Sequence, residues 1–222
     1  MKDIIVIGAG GHSKSAIDVL ESSKEYKILG IVDNELEIGS MIGDHTILGA
    51  DSDLPKLKDI SSNVLIGVGQ IKNPNIRSDL YLQLKQIGFE MPSIISKTAI
   101  VSDKAEIGDG SIIMNGVIIN AGATIGSNCI INTGAIVEHD VKIGNNTHVS
   151  TNSVINGDAK IGDLTFIGSG SVIRNGISIG NECIISEKRS ENSEELSSIK
   201  NTIIKILETK VRPAVARDGG DI

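Results

Sequence analysis

From Ile95 to Ile185 the chain keeps one aliphatic register with a period of six. Ile95, Val101, Ile107, Ile113, Ile119, Ile125, Ile131, Val137, Ile143, Val149, Ile155, Ile161, Ile167, Ile173, Ile179 and Ile185 all fall on it. A small side chain sits two residues before most of them, as at Ala99, Ala105, Ser111, Ala123, Cys129, Ala135, Thr147, Ser153, Ala159, Thr165, Ser171 and Cys183. Glycine often follows, as at Gly108, Gly126, Gly144, Gly162 and Gly180. Six matches neither the 3.6 of an amphipathic helix nor the two of a strand. It matches a parallel β-helix of six-residue units, each one short strand and one corner. Three units close a triangular coil of about eighteen residues, with the aliphatic and the small residue both pointing inward. Residues 95–185 supply about five coils.

Composition agrees with this reading. Aromatic residues make up 2 % of the chain, Trp is absent and Gly numbers 25. A core without large rings must be filled by aliphatic side chains in regular layers. The two cysteines, Cys129 and Cys183, occupy the small inward position, where a thiol acts as a small apolar group rather than a nucleophile. The net charge of −7 disfavours nucleic acid as a partner, so an anionic ligand would need local donors. No apolar run approaches the ~20 residues of a membrane span. The opening "MKDIIVIGAGG" reads as a first strand rather than a leader, and a cytoplasmic protein is the expectation.

Residues 1–92 read as a different unit. "DIIVIGAGGHSKSAIDVLESS" gives strand, glycine turn and helix, and "KILGIVDN" gives a second strand ending in Asp33. A third strand, "VLIGVG", and a helix, "PNIRSDLYLQLKQIG", follow. Gly8, Gly10 and Gly11 let the backbone approach a phosphate at the helix N-terminus. Only two glycines of the dinucleotide fingerprint are present, because Ser13 stands at the third place. A half-Rossmann lobe for a mononucleotide or nucleotide-sugar is therefore expected, rather than a nicotinamide site. A turn without a ligand is the plainer alternative. His12 lies at the turn where a ligand would sit.

"NTGAIVEHDVKIGNNTHVS", from Asn132 to Ser150, carries two of the four histidines, His139 and His148. Neither falls on the inward register, so neither is expected to be a satisfied core histidine. Nine residues is half a coil, which sets the two on different sides of the prism. They would not meet within one subunit, but they can meet between neighbouring prisms.

The lobe motif "IVIGAGGHSKSAIDVL" together with "VEHDVKIGNNTHVS" resembles one family over residues 1 to about 185. It is the sugar O- and N-acetyltransferases that include sialic acid O-acetyltransferases and UDP-4-amino-sugar N-acetyltransferases of the bacillosamine pathway. The resemblance implies a left-handed coil over 93–187, a homotrimer with active sites between subunits, acetyl-CoA as co-substrate and no metal. It implies His139 as general base, supported by Asp140, one methylene shorter than the Glu of some members. Asn132 is a weaker candidate for orienting the acceptor. It places a sugar or UDP-sugar against Gly10, Gly11, His12, Asp33, Asn34 and Gly67, and acetyl-CoA against His148, Gly168 and Ser169. The implied reaction is direct transfer to an amino or hydroxyl group in bacterial surface-glycan synthesis. The acceptor stays open among sialic acid, UDP-4-amino sugars and other surface sugars.

Residues 188–222 depart from the family. "SENSEELSSIKNTIIKILETKVRPAVARDGGDI" predicts a helix with a stripe of Ile199, Ile203 and Ile206. It resembles the start of a NifU-like domain but carries no C-x-x-C pair, so no cluster function is assigned. This tail favours the main alternative, a non-catalytic trimeric scaffold with an impaired CoA site. A β-helix carbonic anhydrase would need three zinc-binding histidines, and the repeat holds two.

Overall fold

The computed structural model describes residues 1–71 and 73–186. The tail helix expected from the sequence lies outside the described residues. Within them, sixteen two-residue strands run from Ile94–Ile95 to Ile184–Ile185. Each pairs in parallel with the strand eighteen residues away, as in Ile118↔Ile136 and Ile125↔Ile143. The strands form three sheets of six, five and five, the walls of a triangular prism. The six-residue register points inward as expected, and Ile113 through Ile173 are no more than 6 % exposed. The small inward positions from Ser111 to Ser171 are buried too, while Ala99, Ala105 and Cys183 at the two ends are partly buried. Four of the hydroxyls there donate to a carbonyl fifteen residues on: Ser111 to Gly126 and Thr147 to Gly162 at 2.8 Å, and Ser153 to Gly168 and Thr165 to Gly180 at 3.0 Å. These four buried hydroxyls are thereby satisfied within the coil.

The corners explain the glycines and asparagines. From Gly110 onward each corner holds one residue with φ between 53° and 75°, a region that Gly, Asn and Asp enter most readily. Leu164 and Glu182 are the exceptions. A second column, Gly108, Gly126, Gly144 and Gly162, has ordinary φ but no room. A Cβ on Gly144 would lie 2.6 Å from the Asp163 nitrogen and 2.7 Å from the Gly162 carbonyl carbon of the next coil. These glycines set how closely coils stack.

The three outer faces differ. One begins with Ile94, Ile112, Ile130 and His148, all buried, because the N-terminal lobe covers it. A second presents Glu106, Thr124, Lys142, Lys160 and Ser178. The third presents a ladder of Ile100, Ile118, Ile136, Val154 and Val172. Ile100 and Val172 are 66 % and 63 % exposed, and the described residues place nothing over this aliphatic face.

The lobe is a five-stranded sheet of order β3-β4-β2-β1-β5. Its elements are β1 (Lys2–Ile7), α1 (Gly11–Ser23), β2 (Tyr26–Val32), β3 (Met41–Ile42), β4 (His45–Gly49), α2 (Leu54–Leu57), β5 (Val64–Ile66) and α3 (Asn75–Ile87). The sequence reading missed β3 and β4, which lie between Gly39 and Gly49 in a segment without strict alternation. β1 alternates as buried on both faces: Ile4 and Val6 join α1 and the coil in one core, and Ile5 and Ile7 join α3 in another. Among the described residues no helix is long and apolar enough to cross a membrane. Replacing Gly144 by Ala should cost about 1–3 kcal/mol, as over-packing does. Gly11→Ala, with nothing within 4 Å of its would-be Cβ, should stay close to wild type in the same denaturant titration.

Candidate active site

The glycine turn opens a cleft of about 590 Å³ lined by Gly8, Ala9, Gly10, Gly11, His12, Asp33, Gly67 and Gly69 among others. Gly8 has φ +97° and lies against Val68. Gly10 and Gly11 have open space where a Cβ would point, and α1 starts at Gly11 without a side-chain cap. The first N–H groups of α1 are thus presented to the cleft, a setting that favours an anion. Ser13 is 1 % exposed, and a Cβ on Gly67 would fall 2.6 Å from its Oγ. The close helix–strand approach usually granted by a third fingerprint glycine is here granted by Gly67 on the strand side. That is one structural role for Gly67, beside its place in the cleft wall.

Asp33 lines the cleft, but its carboxylate also builds it. Oδ2 accepts from the Ala9 N–H at 2.8 Å and Oδ1 from the Glu35 N–H at 2.9 Å. Asn34 is held by Asp51 at both ends of its amide, at 2.7 and 2.9 Å. It lines an adjoining hollow of about 320 Å³ with Asp33, Glu35, Asp51 and Asp79.

His148 corrects an expectation. Its outward register predicts exposure, yet it is 4 % exposed, because the lobe lies on that face. Its Nδ1 donates to the Gln70 carbonyl oxygen, and Nε2 faces the Asn132 amide nitrogen at 3.1 Å. Asn132 Oδ1 accepts from the Thr133 N–H at 2.8 Å, which orients the amide so that Nδ2 donates to His148. His148 is therefore a neutral imidazole with its proton on Nδ1. Burial pushes its pKa down to about 4. Asn132 positions this histidine, and the structure gives it no direct link to His139. Ser150 and Ser169 share a hydroxyl bond of 2.9 Å at the same corner, with Gly168 under the last coil.

His12 comes to the same buried place. Burial, with Arg77 and His148 nearby, lowers its pKa to about 3, and its Nε2 has no partner among the described residues. Gln70 and Arg77 were missed by the sequence reading. Arg77 lay on the buried stripe of α3 with Leu80 and Leu84, where a charge is out of place, and that was the available signal. Gln70 carried none.

His139 stands apart, on the corner between the aliphatic and polar faces. Asp140 occupies the left-handed position of that corner with φ +61°, and from there accepts from His139 Nδ1 at 2.9 Å. That is an ordinary length, so the shorter acid does not stretch the bond. The bond raises the His139 pKa above its usual value and leaves Nε2 as the basic nitrogen. A Cβ on Gly157, one coil on, would lie 2.6 Å from Nε2, so the bare corner makes room for the ring. Among the described residues no group of three His, Cys, Asp or Glu is arranged to hold a metal. An NMR titration of the histidine rings should show His139 protonating with a midpoint above 6.5, while His12 and His148 stay neutral down to pH 5.

The family described as the PglD N-terminal domain matches residues 3–84, the bacterial transferase hexapeptide matches 122–157, and the hexapeptide repeat of succinyl-transferase matches 159–186. PerB from Caulobacter crescentus, solved in complex with CoA and GDP-perosamine, is 32 % identical over 83 % of this chain and 86 % of its own, with a TM-score of 0.76. The acetyltransferase domain of PglB from Neisseria gonorrhoeae, solved with acetyl coenzyme A, is 28 % identical over 84 % of this chain and 93 % of its own, with a TM-score of 0.75. The UDP-N-acetylbacillosamine N-acetyltransferase of Bacillus subtilis is 30 % identical over 113 residues, and this match spans about half the length of that relative. The α/β lobe and the parallel strands stacked as in a left-handed β-helix match the same folds. The chain belongs to the sugar acetyltransferase family that joins a PglD-type N-terminal domain to hexapeptide repeats.

Proposed function

We propose that this protein moves an acetyl group from acetyl-CoA to the amino group of a nucleotide-linked sugar. The carrying observation is His139, an exposed imidazole whose Nδ1 is held by Asp140 and whose Nε2 is left basic. The sugar amine attacks the thioester carbon, the C–S bond breaks, and the amine proton passes to His139 Nε2 and on to the departing thiolate. General-base help of this kind is typically worth about 10²–10⁴-fold. Asp140 fixes the tautomer and stabilises the imidazolium. Backbone N–H groups of the coil corners are suited to the tetrahedral oxyanion.

The nucleotide end of the acceptor sits in the glycine-turn cleft, with its phosphates at the start of α1. Relatives solved with CoA, acetyl-CoA and a GDP-sugar support both co-substrates. A catalytic reading fits these likenesses better than an inert scaffold. His148 serves the acetyl-CoA side as a fixed neutral group and not as a base. Surface-glycan synthesis is the setting proposed for the product.

The site needs a second copy of the chain. The aliphatic face is bounded by two corners: His139 and Gly157 lie along one, and Asn132, Ser150, Gly168 and Ser169 along the other. An apolar ladder of this length in water favours a partner. Three copies closed around an axis cover all three ladders and bring the His139 corner of each against the Asn132–Ser169 corner of the next.

Thiol release from acetyl-CoA should depend on a nucleotide-linked amino sugar, and His139→Ala should abolish it. Release with hydroxyl acceptors alone would turn the assignment to O-acetylation, and no release with either would remove the enzymatic reading. The base must be neutral, so the rate should fall as pH drops through the raised His139 pKa. Asp140→Asn, which keeps a residue suited to positive φ, should shift that midpoint downward toward the usual ~6.5.

A further inference from the structure

Arg77 is 0 % exposed and has no carboxylate partner among the described residues. All its bonds run to backbone carbonyls. Nη1 donates to the Ile66 and Val68 carbonyls at 2.7 and 2.8 Å, Nε donates to Asn128 at 3.3 Å, and Nη2 donates to Gly110 at 3.4 Å. The first two acceptors belong to the end of β5 and the rim that follows it. The other two belong to coil corners one turn apart. Asn128 answers by donating from Nδ2 to the Arg77 carbonyl oxygen at 3.3 Å and to Asn146 at 2.8 Å. An unpaired buried guanidinium is costly, and a helix–coil contact alone would be served by an aliphatic side chain. Burial lowers its pKa only to about 10, so it stays charged at neutral pH.

Two features tie this charge to the cleft. Val68, whose carbonyl Arg77 holds, lines both hollows, and Gly67 and Gly69 beside it line the larger one. No Lys or Arg lines either hollow among the described residues, while Asp33 and Glu35 line both. An anion at the start of α1 therefore meets acidic walls, and Arg77 stands behind the rim as a fixed positive charge.

We propose that Arg77 is a positioning residue for the acceptor: it registers the Gly67–Gly69 rim against the coil corners and supplies, from behind the wall, counter-charge to the acceptor's diphosphate. This rests on the nucleotide-sugar reading above. Two arms separate the two ideas. In kinetics, Arg77→Lys keeps a charge but cannot span four carbonyls. It should raise KM for the nucleotide-sugar about tenfold and leave KM for acetyl-CoA unchanged. A purely structural role would lower kcat with the active fraction and leave both KM values at wild type, which overturns the proposal. In amide exchange, which needs no substrate, residues 64–71 of the wild type should exchange in step with the corners near Gly110 and Asn128, and should exchange faster in Arg77→Lys. Exchange of 64–71 independent of those corners in the wild type overturns the registering role whether or not the variant folds. A loosened rim in a protein inactive on every nucleotide-sugar would uphold the registering role and overturn the acceptor assignment instead.

Discussion

Everything in this molecule depends on one coil lying directly on the next, eighteen residues later. Parallel pairing of two-residue strands supplies few hydrogen bonds per strand, so the repeated inward Ile and Val must do most of the holding. Close stacking is possible only where corners lack a Cβ, as at Gly126 and Gly144, or turn through positive φ, as at Asn146 and Asp140. His139, the proposed base, inherits its geometry from this rule. Asp140 is where a corner wants Gly, Asn or Asp, and the same conformation aims its carboxylate at His139.

The lobe changes what the coil's outer register means. An outward residue on the polar face is solvated, but on the lobe's face it is core. His148 and Arg77 are therefore polar groups in a dry junction, and each is satisfied by main-chain carbonyls rather than by carboxylates. Such networks are costly to leave half-made, and among the described residues this one still leaves His12 Nε2, Gln70 Oε1 and Asn128 Oδ1 without a partner beside the cleft. The charged state of Arg77 and the neutral states of His12 and His148 are parts of one arrangement: burial is the main cause of both lowered histidine values, and the guanidinium adds to it.

The coil was legible because its signal is periodic and repeated, and every inward position from Ile113 to Ile173 fell where the register put it. The glycine turn and both outer helices of the lobe were legible for similar local reasons. What sequence could not give was the contact between lobe and coil. Nothing local distinguishes the outward Lys142 from the outward His148, since burial of the second depends on residues about eighty positions earlier, such as Gln70. The same holds for Asn132, whose partner is set by stacking across coils, and for β3 and β4, whose strands form by edge pairing rather than by strong alternation.

In the proposed assembly, the aliphatic face brings His139 of one subunit, as the proposed base, to the corner and acceptor cleft of the next. Subunit mixing tests it most directly. A His139→Ala protein and a second protein with its glycine-turn cleft blocked by Gly10→Trp are each inactive, and are unfolded and refolded together in equal amounts. If sites are shared between subunits, random assembly restores about a quarter of wild-type sites. If each subunit carries a complete site, the mixture stays as inactive as its parts, and the account is wrong.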